Sequence, residues 1–156
     1  MSDMQLKSMA RNLKILHASL CIGLIIFIIV AYSQKGSFDA SMNGNVFIYV
    51  VPILAMLGYF GSKWIYQNLI RNIPESEPLP KKLQRYYAAS LLKYALIEVV
   101  AIVAIFGYYS TGNAMHLVIA ICLIVYLILQ RPQLHIIKQE VPLNLQEEKE
   151  FDTLNL

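Results

Sequence analysis

The sequence predicts an all-α fold in which four transmembrane helices form one bundle. Of the 156 residues, 57% are hydrophobic and 15% are charged, whereas an average soluble domain is about 45–50% apolar and about 25% charged. Four apolar segments are long enough to cross a hydrocarbon core, which takes roughly 17–25 residues. A soluble chain of this length has too few residues to cover four such helices with polar layers.

The four predicted spans cover residues 13–33, 46–66, 88–109 and 114–130, and the fourth is the shortest. We therefore expect one transmembrane domain over residues 1–131 and a tail over residues 132–156. The first segment also has features of a signal peptide, with Ala31 and Ser33 near its end in an A-x-A-like arrangement. Because three further spans follow, we expect it to be retained as a membrane helix.

The positions of Lys and Arg predict the orientation. The basic residues at or beyond the ends of the spans lie almost entirely on one side: Lys7, Arg11, Lys14, Arg71, Lys81, Lys82, Arg85, Arg131, Lys138 and Lys149. The opposite side carries only Lys35. The positive-inside rule then predicts that both termini are cytoplasmic, in the inner (plasma) membrane. This distribution also accounts for the net charge of +3, so no nucleic-acid partner is expected.

A weak internal similarity favours two tandem in-out-in hairpins. Residues 31–33 end the first span with Ala-Tyr-Ser, as residues 108–110 end the third with Tyr-Tyr-Ser. Gly44 and Asn45 open the second span as Gly112 and Asn113 open the fourth. Because Ser, Gly and Asn are common in any turn, the similarity leaves open both a duplication and two unrelated hairpins.

Glu98 is the main chemical clue in the chain. It lies within the apolar run 91–109, and no other acidic residue occurs between Glu77 and Glu140. A carboxylate at bilayer depth costs free energy if it is ionised and unpaired, so an acid at this position is a candidate functional site. We take Glu98 as the candidate intramembrane site for protons or ions.

Further polar residues lie one to two helical turns inside the basic ends of the spans. The candidates to support Glu98 are His17, Lys93, Tyr94 and Tyr126. One interpretation is a shallow polar vestibule leading toward Glu98. The alternative is that Lys93 extends its amine to the headgroups and that His17 is a hydrogen-bonded structural residue.

Small residues predict where the helices pack. One face of the third span carries Ala88, Ala95 and Ala101 beside Glu98. One face of the second span carries Ala55, Gly58 and Ser62. Residues three, four or seven apart share a helix face, and small side chains allow membrane helices to approach closely. We therefore expect Glu98 to face protein, either in the bundle or at a subunit interface.

The two segments outside the spans have distinct compositions. Residues 73–80 contain three prolines, which predicts a stiff, extended connector. The predicted cytoplasmic tail is acidic, and Asn144 followed by Glu147 predicts the start of a short helix. We expect this tail to be solvated or loosely packed on the surface, with docking on a partner as the alternative.

No pattern typical of an enzyme occurs in the sequence. It has no metal-ligand spacing, no Gly-rich phosphate loop, and no Ser or Cys nucleophile with a base nearby in sequence. We therefore expect no enzymatic activity, no metal and no cofactor. The expected partners are the lipid bilayer and either further copies of the chain or other subunits of a membrane complex.

Family resemblances begin at Glu98. The stretch 95–99, Ala-Leu-Ile-Glu-Val, resembles the acid-bearing helix of the four-helix small multidrug-resistance transporters, in which the acid lies in the first helix rather than the third. A duplicated hairpin with one carboxylate also resembles the proteolipids of rotary ATPases, which are Gly-rich and carry the acid on the outgoing helix. The chain departs from both of these features.

A third resemblance covers about half of the chain. Residues 95–98 through 111–113, Arg131 with Pro132, and residues 143–148 are similar to uncharacterised four-helix bacterial membrane proteins. This resemblance implies a four-helix fold and no particular activity.

Two functions are therefore compatible with the sequence. In one, the protein is a small structural or accessory subunit of a membrane assembly, and a protonated Glu98 is hydrogen-bonded to a neighbouring helix. In the other, Glu98 binds and releases protons or cations in a small transporter. That transporter is expected to be a homo-oligomer, because four short helices enclose little volume. Nothing in the sequence names a substrate.

Overall fold

The computed structural model describes residues 3–41 and 45–152, which contain six helices. Helices α1 (Asp3–Lys35), α2 (Phe47–Arg71), α3 (Leu79–Thr111) and α4 (Ala114–Leu129) form the bundle, and α5 (Leu134–Glu140) and α6 (Leu145–Asp152) follow in the tail. The described residues are mostly helical and contain no β-strand, which confirms the predicted all-α class and a bundle of four apolar helices. Gly44, used in the duplication argument, and tail residues 153–156 lie outside the described residues.

The exposed surface of the bundle is apolar. Helices α1, α2 and α3 are each long and apolar enough to cross a membrane, whereas α4 has 16 apolar residues. At ~1.5 Å per residue α4 spans about 24 Å, somewhat less than a hydrocarbon core of about 30 Å. Ile26, Phe60 and Val99 are all more than half exposed. Because contiguous apolar surface is unfavourable in water, these surfaces identify a helical membrane protein.

Helix α3 lies at the centre of the bundle. It packs against α1, α2 and α4, while α1 packs mainly on α3 and α4. Ile97, Ala101, Ala104 and Ile105 of α3 are completely buried. The two predicted hairpins are thus joined through α3, and α1 has its main contacts with the second hairpin rather than with α2.

The helices extend beyond the predicted spans on the side of the tail, which we call the tail end. Helix α3 begins at Leu79, nine residues before the predicted start at 88. Pro80 is tolerated in its first turn because the N–H groups there have no intrahelical partner. The connector before it turns rather than running extended, since the Glu77 N–H donates to the Pro74 carbonyl at 3.2 Å.

The opposite, loop end is held by backbone pairing. Asp39, between α1 and α2, forms a parallel bridge with Asn113, between α3 and α4. The Ala114 N–H donates to the Asp39 carbonyl oxygen at 2.7 Å. Gly112 ends α3 with a φ of 71°, a left-handed conformation that glycine adopts without steric cost. These contacts fix the α1–α2 loop on the α3–α4 turn.

The tail folds back on the tail end of the bundle. Helix α6 begins with a capping box, in which the Asn144 side chain accepts the Glu147 N–H at 2.8 Å and Glu147 Oε2 accepts the Asn144 N–H at 2.9 Å. This confirms the short helix predicted from these two residues. Ile137, Val141 and Phe151 are buried. The tail is therefore attached more closely than its acidic composition suggested.

Candidate functional site

Glu98 lies on α3 at the edge of its contact with α1. Its side chain is half-buried, and its carboxyl interacts electrostatically with the buried Cys21 of α1. Within residues 3–41 and 45–152, no hydrogen bond reaches the Glu98 carboxyl. The acid therefore lies at the boundary between the bundle interior and its apolar surface.

Two of the four predicted supporting residues meet next to this position. The Nε2 atom of His17 donates to the Leu127 carbonyl oxygen at 2.8 Å, since a carbonyl can only accept. The Tyr94 ring packs edge-on against the His17 ring, with their centroids 4.8 Å apart. Cys21 Sγ is 3.9 Å from His17 Nε2. His17 and Tyr94 thus join α1, α3 and α4 about one turn from Glu98.

The other two predicted supporting residues lie on a different side of the bundle, toward α2. Lys93 Nζ is 4.3 Å from the centroid of the Tyr66 ring, a cation–π contact. The Tyr126 ring lies 4.8 Å from the Tyr59 ring, measured between centroids. Adjacent helix positions point about 100° apart, so Lys93 and Tyr94 face different helices. The structure therefore places only His17 and Tyr94 near Glu98.

The small residues predicted on α2 lie against the rest of the bundle. A Cβ atom added to Gly58 would come within 2.6 Å of Val100 Cγ2 on α3. Ser62 is completely buried and its hydroxyl donates to the Tyr59 carbonyl at 3.0 Å. Ala55 is half-buried against the core. The backbones of α2 and α3 approach closely because position 58 has no side chain.

The small residues predicted on α3 are divided between two surfaces. Ala101 is buried, whereas Ala88 and Ala95 are exposed on the single chain. Positions 95 and 101 lie about 120° apart on a helix, with Glu98 between them. Glu98 is half-buried for this reason: one neighbouring alanine faces the core and the other faces outward.

The tail contributes a polar cluster that the sequence did not reveal. Lys82 is completely buried, and its Nζ donates to Glu147 Oε2 and to the Pro142 carbonyl, both at 2.8 Å. The Tyr66 hydroxyl on α2 donates to the Glu140 carboxylate. Asn144 and Glu147 were recognised as a helix start, but a partner 65 residues away carries no local signal.

These contacts stabilise the ionised form of the Glu147 carboxyl. Burial raises the pKa of its carboxyl, but the hydrogen bonds from Lys82 and from the Asn144 N–H outweigh burial and hold the pKa below its ordinary value of 4.5. Glu147 is therefore ionised at neutral pH and balances the charge of Lys82.

The cluster around Glu98 provides one carboxyl, one imidazole, one thiol and one phenol. In the described part of the chain, no three His, Cys, Asp or Glu side chains are arranged to hold a metal ion. Its chemical capacity is to exchange a proton or to hydrogen-bond a group on a neighbouring helix. No protein-family model, no curated protein and no solved structure matches this chain.

Proposed function

We propose that the protein is a small structural or accessory subunit of a membrane assembly, and that it contacts its partner through the face of α3 that carries Glu98. The observation that supports this most directly is the half-buried Glu98 carboxyl, which no hydrogen bond reaches within the described residues. At bilayer depth such a group is stabilised by a hydrogen bond from another helix.

The surface next to Glu98 has the pattern of a helix-packing seam. Exposed residues recur at alternating intervals of four and three along α3, namely Ala88, Leu92, Ala95, Val99, Ile102 and Phe106. This spacing keeps one stripe facing a partner helix when the two helices supercoil around each other. The alanines admit a close approach of that helix. The partner is a second copy of this chain or another subunit, in the inner membrane with both termini cytoplasmic.

Substitution of Glu98 tests this proposal. Glu98→Gln keeps the size and hydrogen-bonding capacity of a protonated acid, so we expect the assembly to persist. Glu98→Ala removes those bonds and leaves space, so we expect the complex to dissociate more readily. Native mass spectrometry of gently solubilised protein measures both. An unchanged complex in Glu98→Ala would contradict the proposal.

A second pair of variants tests the seam itself. Ala95→Leu blocks close approach at an exposed position on α3 and should weaken the assembly. Cys122→Leu adds a similar volume at an exposed position on α4 and serves as the control. If both variants assemble to the same extent, the α3 face is not the surface that contacts the partner.

The second candidate function, a proton- or cation-coupled small transporter, is favoured by the line of polar groups that approaches Glu98. His17 contacts both Tyr94 and Cys21, and Tyr94 lies one helical turn from Glu98 on α3. Such a line suits proton exchange at an intramembrane acid. Loss of a proton or cation flux into vesicles in Glu98→Gln, with the assembly intact, would favour this function over the first.

A further inference from the structure

A groove of about 880 Å³ opens on the surface of the bundle between α1 and the segment joining α4 to α5. Its apolar wall includes Ile22 and Ile25 of α1 and Ile128 of α4. Its mouth at the tail end is lined by Lys14, Arg131 and His135. The groove therefore has one basic end and one apolar end.

The length of the groove matches one leaflet of a bilayer. Lys14 and Ile25 are eleven positions apart on α1, which corresponds to about 16 Å along a helix. Half of a hydrocarbon core of about 30 Å is nearly the same distance. The groove thus runs from the headgroup level toward the bilayer centre, and its volume falls within the range of roughly 300–1,000 Å³ typical of ligand sites.

The charges at the mouth are available to an anion. No acidic residue lines the groove, and Lys14, Arg131 and His135 are exposed. Among the described residues, no salt bridge involves Lys14, Arg131 or His135, and the Lys82–Glu147 and Arg85–Glu77 pairs use other side chains. Basic pockets between transmembrane helices bind the headgroups of anionic lipids.

We propose that this groove binds one anionic phospholipid from the leaflet at the tail end. Lys14 and Arg131 contact its phosphate, and one acyl chain lies along Ile22, Ile25 and Ile128. A single basic residue at a membrane interface does not indicate a specific lipid site, because its long stem can reach the headgroup of any nearby lipid. Here α1 and the segment joining α4 to α5 each place a basic residue at the mouth of one apolar groove. The proposed lipid contacts do not involve Glu98, although His17 and Cys21 of the cluster around Glu98 also line the groove.

Competition between two lipids tests the charge of the site. The full chain is solubilised with equal amounts of phosphatidylglycerol and phosphatidylcholine that carry the same acyl chains, and the retained lipid is identified by native mass spectrometry. We expect one phosphatidylglycerol per chain, with a preference of about thirty-fold, equivalent to about 1 kcal/mol for each of the two basic residues. Equal retention of the two lipids would overturn the proposal.

The double variant Lys14→Gln and Arg131→Gln should abolish this preference. Arg71→Gln with Lys81→Gln is the matched control, because it removes two exposed charges from the same end of the bundle but outside the groove. If the control loses the preference for phosphatidylglycerol to the same extent, the preference is a general effect of charge and the proposed site is wrong.

Filling the apolar wall distinguishes a lipid from a headgroup alone. Ile22→Trp occupies the groove and should lower retention at least tenfold, whereas Ile26→Trp, one turn away and outside the groove, should leave it unchanged. Both positions are exposed, so thermal melting should show both variants folded. The proposal would be refuted if Ile22→Trp retained as much phosphatidylglycerol as the unmodified protein. It would also be refuted if a second copy of the chain filled the groove without lipid.

Discussion

Lys82 is a completely buried cation whose hydrogen-bond partners both belong to the tail. A buried charge without its partner is costly, whereas replacing both partners of a buried pair by apolar residues is often tolerated. The capping box ties Glu147 to Asn144 in the same turn, so the ion pair and the start of α6 depend on each other. This pair therefore contributes to holding the tail against α3.

We predict that Glu147→Ala detaches the tail, because it leaves Lys82 without a counter-charge. We expect the tail to lose about 3 kcal/mol of stability, the lower end for breaking a buried pair, because Glu147 retains some exposure. Limited proteolysis of the tail measures the effect, and Glu148→Ala, one position away, is the control. Lys82→Met combined with Glu147→Leu should restore protection, and its failure to do so would contradict this account.

Attachment of the tail should also depend on pH. The pKa of Glu147 is lower in the folded protein than its ordinary value of 4.5. Its contribution to stability is therefore fully present above pH 4.5 and is lost as the pH falls through the lower, folded value. We expect proteolysis of the tail to accelerate below pH 4.5. Glu147→Gln should be more susceptible at neutral pH and show a smaller change on acidification.

At the scale of elements, the contact between α2 and α3 depends on one glycine. A methyl group at position 58 would overlap Val100, whose β-branched side chain has one preferred rotamer in a helix and cannot move aside easily. Gly61, three residues later, faces open space. The two glycines therefore differ in packing, although both lie in the same helix.

We predict that Gly58→Ala lowers the free energy of unfolding by about 1–3 kcal/mol through overpacking. Gly61→Ala should be neutral or stabilising by up to about 1 kcal/mol, because alanine has the higher helix propensity. Unfolding of the purified protein in mixed micelles measures the difference. Similar values for the two variants would mean that α2 and α3 do not approach as closely as the structure describes.

At the scale of the whole molecule, the two ends of the bundle differ in chemistry. The loop end is held by backbone pairing between Asp39 and Asn113. The tail end carries most of the exposed Lys and Arg side chains, together with the folded tail. This asymmetry is what the positive-inside rule uses to predict the orientation.

We predict that a membrane-impermeant thiol reagent added from outside labels Ala40→Cys at the loop end but not Ser76→Cys at the tail end. Both positions are exposed in the structure. Permeabilising the membrane should make Ser76→Cys accessible, which controls for its reactivity. If only Ser76→Cys is labelled in intact cells, the orientation is the reverse of the proposed one.

The helical class and the approximate spans followed from the sequence, because the apolar character of a span is a local property of the chain. The start of α6 was predicted for the same reason, since Asn144 and Glu147 lie within one turn. Glu98 was also identified locally, as an acid in an apolar run. The extension of α3 to Leu79 was not predicted, because its first turns are polar enough to resemble a connector.

The tertiary structure decided which helix faces meet. His17 pairs with Leu127, and Lys82 with Glu147, across separations of 110 and 65 residues. Such pairings depend on how α1 and the tail pack on α3, and no short-range pattern encodes them. The half-buried position of Glu98 has the same origin: the sequence placed the acid in the membrane, but only the packing of α1 on α3 decides which side of it stays open to a partner.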